Sequence, residues 1–224
     1  MTSSREDYLK VIYMEGGLEN LVSNKVLAEK LNVSPASVSE MVIKLGHEGL
    51  INTVPYKGSS LTAKGMSVCM SVVRSHRLWE VFFIRHLGYT WREAHEEANL
   101  LEHHCSKQLI DRLEKFLCYP KFCPHGDVIP MAGIETAPAD IQYKLLSEIA
   151  VGTTVIVCRV VEDGALLDYV EGTGLLIGGK IQLLSKGEYE GALLLKQGDA
   201  TISLSYKAAT QIFVADERIL GGLL

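Results

Sequence analysis

Apolar positions along the chain change their period twice, and the changes divide it into three regions. In the first, Tyr8, Leu9, Ile12 and Tyr13 recur at helical spacing and predict a helix over about 5–15, stopped by Gly16-Gly17. Val26, Leu27 and Leu31 predict a second helix that breaks at Asn32-Val33. Ser34-Pro35 then opens a third, with Ser as N-cap and Pro at the first helical position; its apolar face is Val38, Met41, Val42 and Leu45. Residues 50–54 and 60–62 flank Pro55-Tyr56-Lys57-Gly58-Ser59 and predict a β-hairpin. Thr62 is expected to cap a long helix reaching about residue 85, and a further helix is expected over about 90–117. Residues 118–150, with Pro120, Pro124, Pro130 and Pro138, read as an irregular connection. Beyond Val151 the period shortens. Segments 153–161, 166–170, 180–184, 191–196 and 201–205 predict a small antiparallel barrel or sandwich.

Composition excludes some classes. With 47% hydrophobic and 22% charged residues, the 224-residue chain is an ordinary globular protein and not a disordered one. No stretch reaches the roughly 18–20 apolar residues that a membrane-spanning helix needs. The start, MTSSREDYLK, is polar, so neither a signal peptide nor an anchor is expected. Five cysteines without a CxxC pair fit a reducing cytoplasm. The net charge of −5 counts against a simple polycation, but it is unevenly spread. Residues 1–65 carry seven basic and seven acidic side chains, residues 66–140 eight and ten, and residues 141–224 seven and ten.

Two helices joined by a tight turn and followed by a hairpin make a winged helix-turn-helix, whose second helix docks in the major groove of double-stranded DNA. Its leading residues Ser34, Pro35, Ala36, Ser37, Ser39 and Glu40 include hydroxyls that can bond phosphates or base edges and a methyl that can meet a thymine methyl. Lys25, Lys44, Lys57 and Lys64 are candidates for backbone contacts, with Lys57 on the wing tip. Ser-Pro alone merely starts a helix; the ordered set of elements carries the reading.

Six of the seven histidines lie between His76 and His125. His76 and Glu80 are spaced i, i+4, and His95, Asn99, Glu102 and His103 make one stripe on an ideal helix. His95 and Glu102 would stand about 10 Å apart along that axis, which suggests two sites. One would use His76, Glu80 and His95, the other Asn99, Glu102 and His103, with Cys123 a possible soft ligand. Imidazole, carboxylate and amide oxygen suit Mn²⁺ or Fe²⁺. A helix with a merely charged face is the bland alternative. It weakens as ligand types accumulate on one stripe.

The segments EDYLKVIY (6–13), VSPASVSEMVIKL (33–45), LTAKG (61–65), SHRLWEVFF (75–83), HEEANLLEHH (95–104) and CPHGDVIP (123–130) resemble the diphtheria toxin repressor family of metal-dependent transcriptional regulators, in particular its manganese-sensing branch. The resemblance covers nearly the whole chain. It implies a mostly α homodimer with a β domain: a winged helix-turn-helix at 1–65, a helical dimerisation and metal-binding region at 66–140, and an SH3-like (FeoA-like) barrel at 151–224. It further implies a primary metal site of Asp7, Glu102 and His103 with Cys123 participating, and an ancillary site of His76, Glu80 and His95 completed by Glu162 or Asp163. Iron-type members usually carry Met where Asp7 stands and Cys where Asn99 stands; manganese-type members carry Asp and Glu. Asp7 is thus manganese-like, while Asn99 removes one negative charge. Mn²⁺ ranks first, Fe²⁺ second, and Zn²⁺ is a further ligand outside the physiological signal. The implied activity is repression of metal-uptake genes when metal is plentiful. Two other readings use the same residues: a winged-helix repressor answering a small organic effector, and a metalloenzyme with Glu102 as general base.

Overall fold

The computed structural model describes residues 5–17, 20–131 and 143–216. Residues 132–142 of the expected connection, and the last eight of the expected barrel region, lie outside these. The chain forms two compact units: Met1–His76 with Glu102–Lys107 and Pro130–Ala137, and Arg77–Leu101 with Gln108–Ile129 and Pro138–Leu224.

In the first unit, α1 (Arg5–Met14) buries Tyr8, Leu9 and Ile12. Helix α2 (Asn24–Leu31) starts where the Ser23 hydroxyl accepts from the Val26 amide, and ends at Asn32 in the left-handed region, φ 51°. Helix α3 (Pro35–His47) begins where Ser34 accepts from the Ser37 amide, and buries Val38, Val42 and Leu45. Strands β1 (Ile51–Val54) and β2 (Gly58–Leu61) form the hairpin, pairing Ile51 with Leu61 and Val54 with Gly58. Val22 pairs with Ser59 on its other edge. Gly58 has φ 139°, and a Cβ there would stand 2.4 Å from the Val22 carbonyl oxygen, so only glycine lets the edge close. Thr62 caps α4 (Ala63–Phe82) by accepting from the Gly65 amide at 3.0 Å. One core joins α1, α2, α3 and the start of α4 through Leu9, Ile12, Leu27, Leu45 and Cys69. Leu45→Ala there would cost about 2–5 kcal/mol.

In the second unit, α4 does not run on as a regular helix to 85: Phe83–Leu87 is a π-helical turn closed by Gly88 at φ 70°. The expected single helix over 90–117 is two, α5 (Trp91–Leu101) and α6 (Lys107–Phe116). The interruption falls at Glu102-His103, residues whose side chains are engaged by α1 in the first unit. A six-stranded antiparallel sheet follows in the order β3-β8-β4-β5-β6-β7. Its strands are β3 (Lys144–Leu145), β4 (Thr154–Val160), β5 (Lys180–Lys186), β6 (Leu193–Gln197), β7 (Ala200–Leu204) and β8 (Ile212–Ala215). Bulges in β4 and β5 bend it around Val157, Leu183, Leu195 and Val214, the core of an SH3-like fold. Residues 166–170, read as a strand, belong instead to α7 (Gly164–Thr173). Asp163 caps that helix, Gly174 ends it, and Leu166, Leu167 and Val170 face the core at helical spacing. A short α8 (Tyr206–Ala209) precedes β8. Among the described residues no helix is long and apolar enough to cross a membrane.

Candidate metal centres and reading helix

The first candidate centre lies where α1 meets the turn after α5. Asp7, Glu102 and His103 offer ligand atoms all within 4.8 Å of one another. His103 Nε2 is 2.8 Å from Asp7 Oδ1 and 3.2 Å from Glu102 Oε1, and its Nδ1 is 2.7 Å from Glu6 Oε2. The Glu102 bond, opposed by burial and helped by Glu6 and Asp7, pushes the His103 imidazole up to about 9, so its two N–H groups donate to carboxylates. Glu102 is buried. Lys10 Nζ donates to its Oε2 at 2.8 Å and its Oε1 at 3.1 Å, and His76 Nδ1 is 2.6 Å from Oε2. Burial would raise the Glu102 carboxyl, but bonds to His103 and His76, with the charges of His76 and Lys10, hold it well below the usual carboxylate range.

The second centre is in the other unit. Glu80, Cys123, His125 and Glu162 bring four ligand atoms within 4.8 Å of one another. Glu80 Oε1 is 3.1 Å from His95 Nδ1 and 3.4 Å from His125 Nδ1. The loop carrying Cys123 and His125 is folded on itself and on β4. The Cys123 amide donates to the Asp127 carbonyl at 2.8 Å, and the Val160 amide to the His125 carbonyl at 3.0 Å. At Gly126, φ 89°, a Cβ would fall 1.8 Å from the Cys158 carbonyl oxygen. Asp127 anchors the loop through Arg77 at 3.2 Å and Arg159 at 3.3 Å, and Arg159 also lies over the Phe213 ring. Burial first, then the charges of Glu80, Glu162 and Asp127, push the Cys123 thiol well up, against Arg77. The residues fit a divalent cation: two carboxylates, an imidazole and a thiol converge. Glu162 Oε1 is buried without a hydrogen-bond partner among the described residues.

Of the residues selected from sequence, Asp7 stands with Glu102 and His103 in the first unit, and Glu80 with His95 in the second. Cys123 is grouped with Glu80 and Glu162 in the second unit, and His76 bonds Glu102 in the first. Of the two acids offered by the barrel, Glu162 is in the cluster, while Asp163 caps α7. Asn99 is exposed on α5 in the second unit. Sequence reasoning missed Glu6 and Lys10, which flank Asp7 on α1, and His125, whose signal was its place two residues after Cys123.

On the reading helix, Ser34, Pro35, Ala36, Ser37, Ser39 and Glu40 are exposed, as are Lys25, Lys44, Lys57 and Lys64, while Val38 is buried. Ser34 and Ser37 hydroxyls are 2.9 Å apart, and Ser39 donates to the Pro35 carbonyl, so these hydroxyls also serve the helix. Lys64 is tied to the Glu48 carbonyl. Beside Lys57, Tyr56 stands fully exposed on the wing tip with φ 62°.

Comparison with known proteins places these features. Residues 1–59 match the model of the iron dependent repressor N-terminal DNA binding domain, residues 62–131 that of the iron dependent repressor metal binding and dimerisation domain, and residues 144–216 the FeoA domain. The iron-dependent repressor IdeR of Mycobacterium leprae is 27% identical over 227 residues, covering 96% of this chain and 97% of that protein. The HTH-type transcriptional regulator MntR of Oceanobacillus iheyensis is 33% identical over 126 residues, 54% of this chain and 81% of its own. A solved manganese-dependent transcriptional repressor in complex with manganese superposes with a TM-score of 0.85 at 34% identity, over 95% of this chain and 99% of that one.

Proposed function

Since the chain belongs to the diphtheria toxin repressor family, in its manganese-sensing branch, we propose that it is a metal-dependent DNA-binding repressor of metal-uptake and homeostasis genes. Mn²⁺ is the proposed signal, with Fe²⁺ the alternative. The working parts are a reader over 1–65, a helical region over 66–140 that carries metal and pairs two copies, and a barrel over 151–224. The protein acts in the cytoplasm as a homodimer on double-stranded operator DNA and is not an enzyme.

One observation carries this reading. Asp7, a candidate ligand, sits on the helix whose Tyr8, Leu9 and Ile12 share a core with Val38, Val42 and Leu45 of the reading helix. A cation bound by Asp7, Glu102 and His103 fixes α1 to the 102–103 turn, and through that core it restricts the reader. Two readers so held in a dimer would face successive major-groove segments. Each tenfold preference of metal for the DNA-competent arrangement shifts its population by about 1.4 kcal/mol, and by linkage operator DNA tightens metal binding equally. The second set, Glu80, Cys123, His125 and Glu162 with His95 beside Glu80, is proposed as a further metal site. There a bound cation would favour the Cys123 thiolate over the thiol.

The test is a gel-shift titration of the full chain on duplex DNA selected from a random pool in Mn²⁺. Retardation with Mn²⁺ or Fe²⁺, lost in chelator and lost in Asp7→Ala, is expected. Binding indifferent to chelator would instead favour an organic effector.

A further inference from the structure

We infer that Lys10 is a tethered counter-cation of the Asp7–Glu102–His103 site, and that a divalent ion binds there by exchange, displacing the Lys10 ammonium from Glu102. The inference rests on reading those three residues as metal ligands.

Glu102 is 2% exposed at its side chain and Lys10 15%, so the carboxylate is buried and the ammonium largely shielded from water. Lys10 straddles the carboxylate, 2.8 Å from one oxygen and 3.1 Å from the other. The remaining approaches are taken by His76 Nδ1 at 2.6 Å from Oε2 and His103 Nε2 at 3.2 Å from Oε1. Divalent ions bind carboxylate oxygens at roughly 2.0–2.2 Å. An ion that near Glu102, with the ammonium still across both oxygens, would set two centres of positive charge side by side in a poorly screened pocket. The lysine can yield: its charge rides on a flexible four-carbon stem. Lys10 also stands three residues after Asp7, on the same face of α1. The helix that supplies a metal ligand therefore also supplies the metal's competitor. Glu102 stays neutralised whichever cation it holds, and the competitor sets how much metal is needed to fill the site. Lys10 is a positioning residue, since it would act on the metal through Glu102.

Two measurements on the full chain test this. Native amine acetylation, quantified by mass spectrometry at Lys10, is compared in chelator and in Mn²⁺. Modification should rise several-fold with Mn²⁺ in the wild type and stay low in Asp7→Ala. EPR titration of Mn²⁺ is then run on wild type, Asp7→Ala, Lys10→Met and Lys10→Arg. The Asp7→Ala isotherm identifies the ion held at this site. Lys10→Met should bind that ion roughly tenfold tighter, and Lys10→Arg, which keeps the charge, should not. Unchanged acetylation on Mn²⁺ addition, or unchanged or weaker Mn²⁺ binding in Lys10→Met, overturns the exchange. An Asp7→Ala isotherm identical to wild type overturns the metal-site reading itself, and the exchange with it.

Discussion

Around Glu102 the chain brings up its own cations, Lys10 and the protonated His103. Around Cys123 it gathers acids, whose charges, added to burial, keep the thiol protonated. The two centres use overlapping ligand chemistry and differ in how their charge is balanced before a metal arrives. At the first, an incoming ion would replace positive charge already in place, so occupancy would follow metal supply. At the second, an ion would relieve the mutual repulsion of Glu80, Glu162 and the Cys123 thiolate, so we expect it to be held more firmly and to act as part of the structure.

The contrast can be broken most forcefully at the second centre's anchor. Arg77→Met leaves the buried Asp127 with Arg159 alone, and should cost about 3 kcal/mol in urea unfolding. A loss under 1 kcal/mol would mean that the loop is not held by this ion pair. Next, Mn²⁺ at a hundred times its Kd should stabilise the wild type by about 2.7 kcal/mol per site. Glu80→Ala should remove one site's share while leaving the acetylation response at Lys10. If both vanish together, the two centres are one system and the contrast fails. A smaller effect comes from pH. His103 titrates near 9 in the fold, above the ordinary imidazole value of about 6.5. In chelator its stabilisation should therefore be complete below about pH 6.5 and fade as pH rises through 9. Urea unfolding of His103→Asn should converge with wild type across that window; a constant gap would show that no charge is involved. The smallest effect separates neighbours. Asp163→Ala should cost about 1 kcal/mol through the lost cap and leave Mn²⁺ affinity intact. Glu162→Ala should do the reverse.

The reader was legible because its boundaries are local chemistry. Ser23, Ser34 and Thr62 each accept a backbone amide at a helix start, and Gly58 is required by a close approach. The barrel was legible in outline, but 166–170 was not. Leu166, Leu167 and Val170 fit a short apolar strand as readily as a helix, and the deciding features, the Asp163 cap and Gly174, lie outside the run. The metal residues were legible as types more than as groups. A helical stripe drawn through His95, Asn99, Glu102 and His103 assumes that the helix continues, yet Glu102 and His103 lie in the turn where α5 has ended. His125 and Lys10 carry no periodic signature, since each gains its role from partners distant in sequence.

At Gly126, a hydrogen atom stands where any other residue would place carbon against the Cys158 carbonyl. His125 next to it is stitched to Val160 through its own backbone carbonyl. Gly126→Ala would add one methyl, remove no ligand, and push the imidazole out of register with Glu80. The geometry of the proposed second centre is thus set by a clearance between two backbones, a dimension that an inventory of donor atoms does not contain.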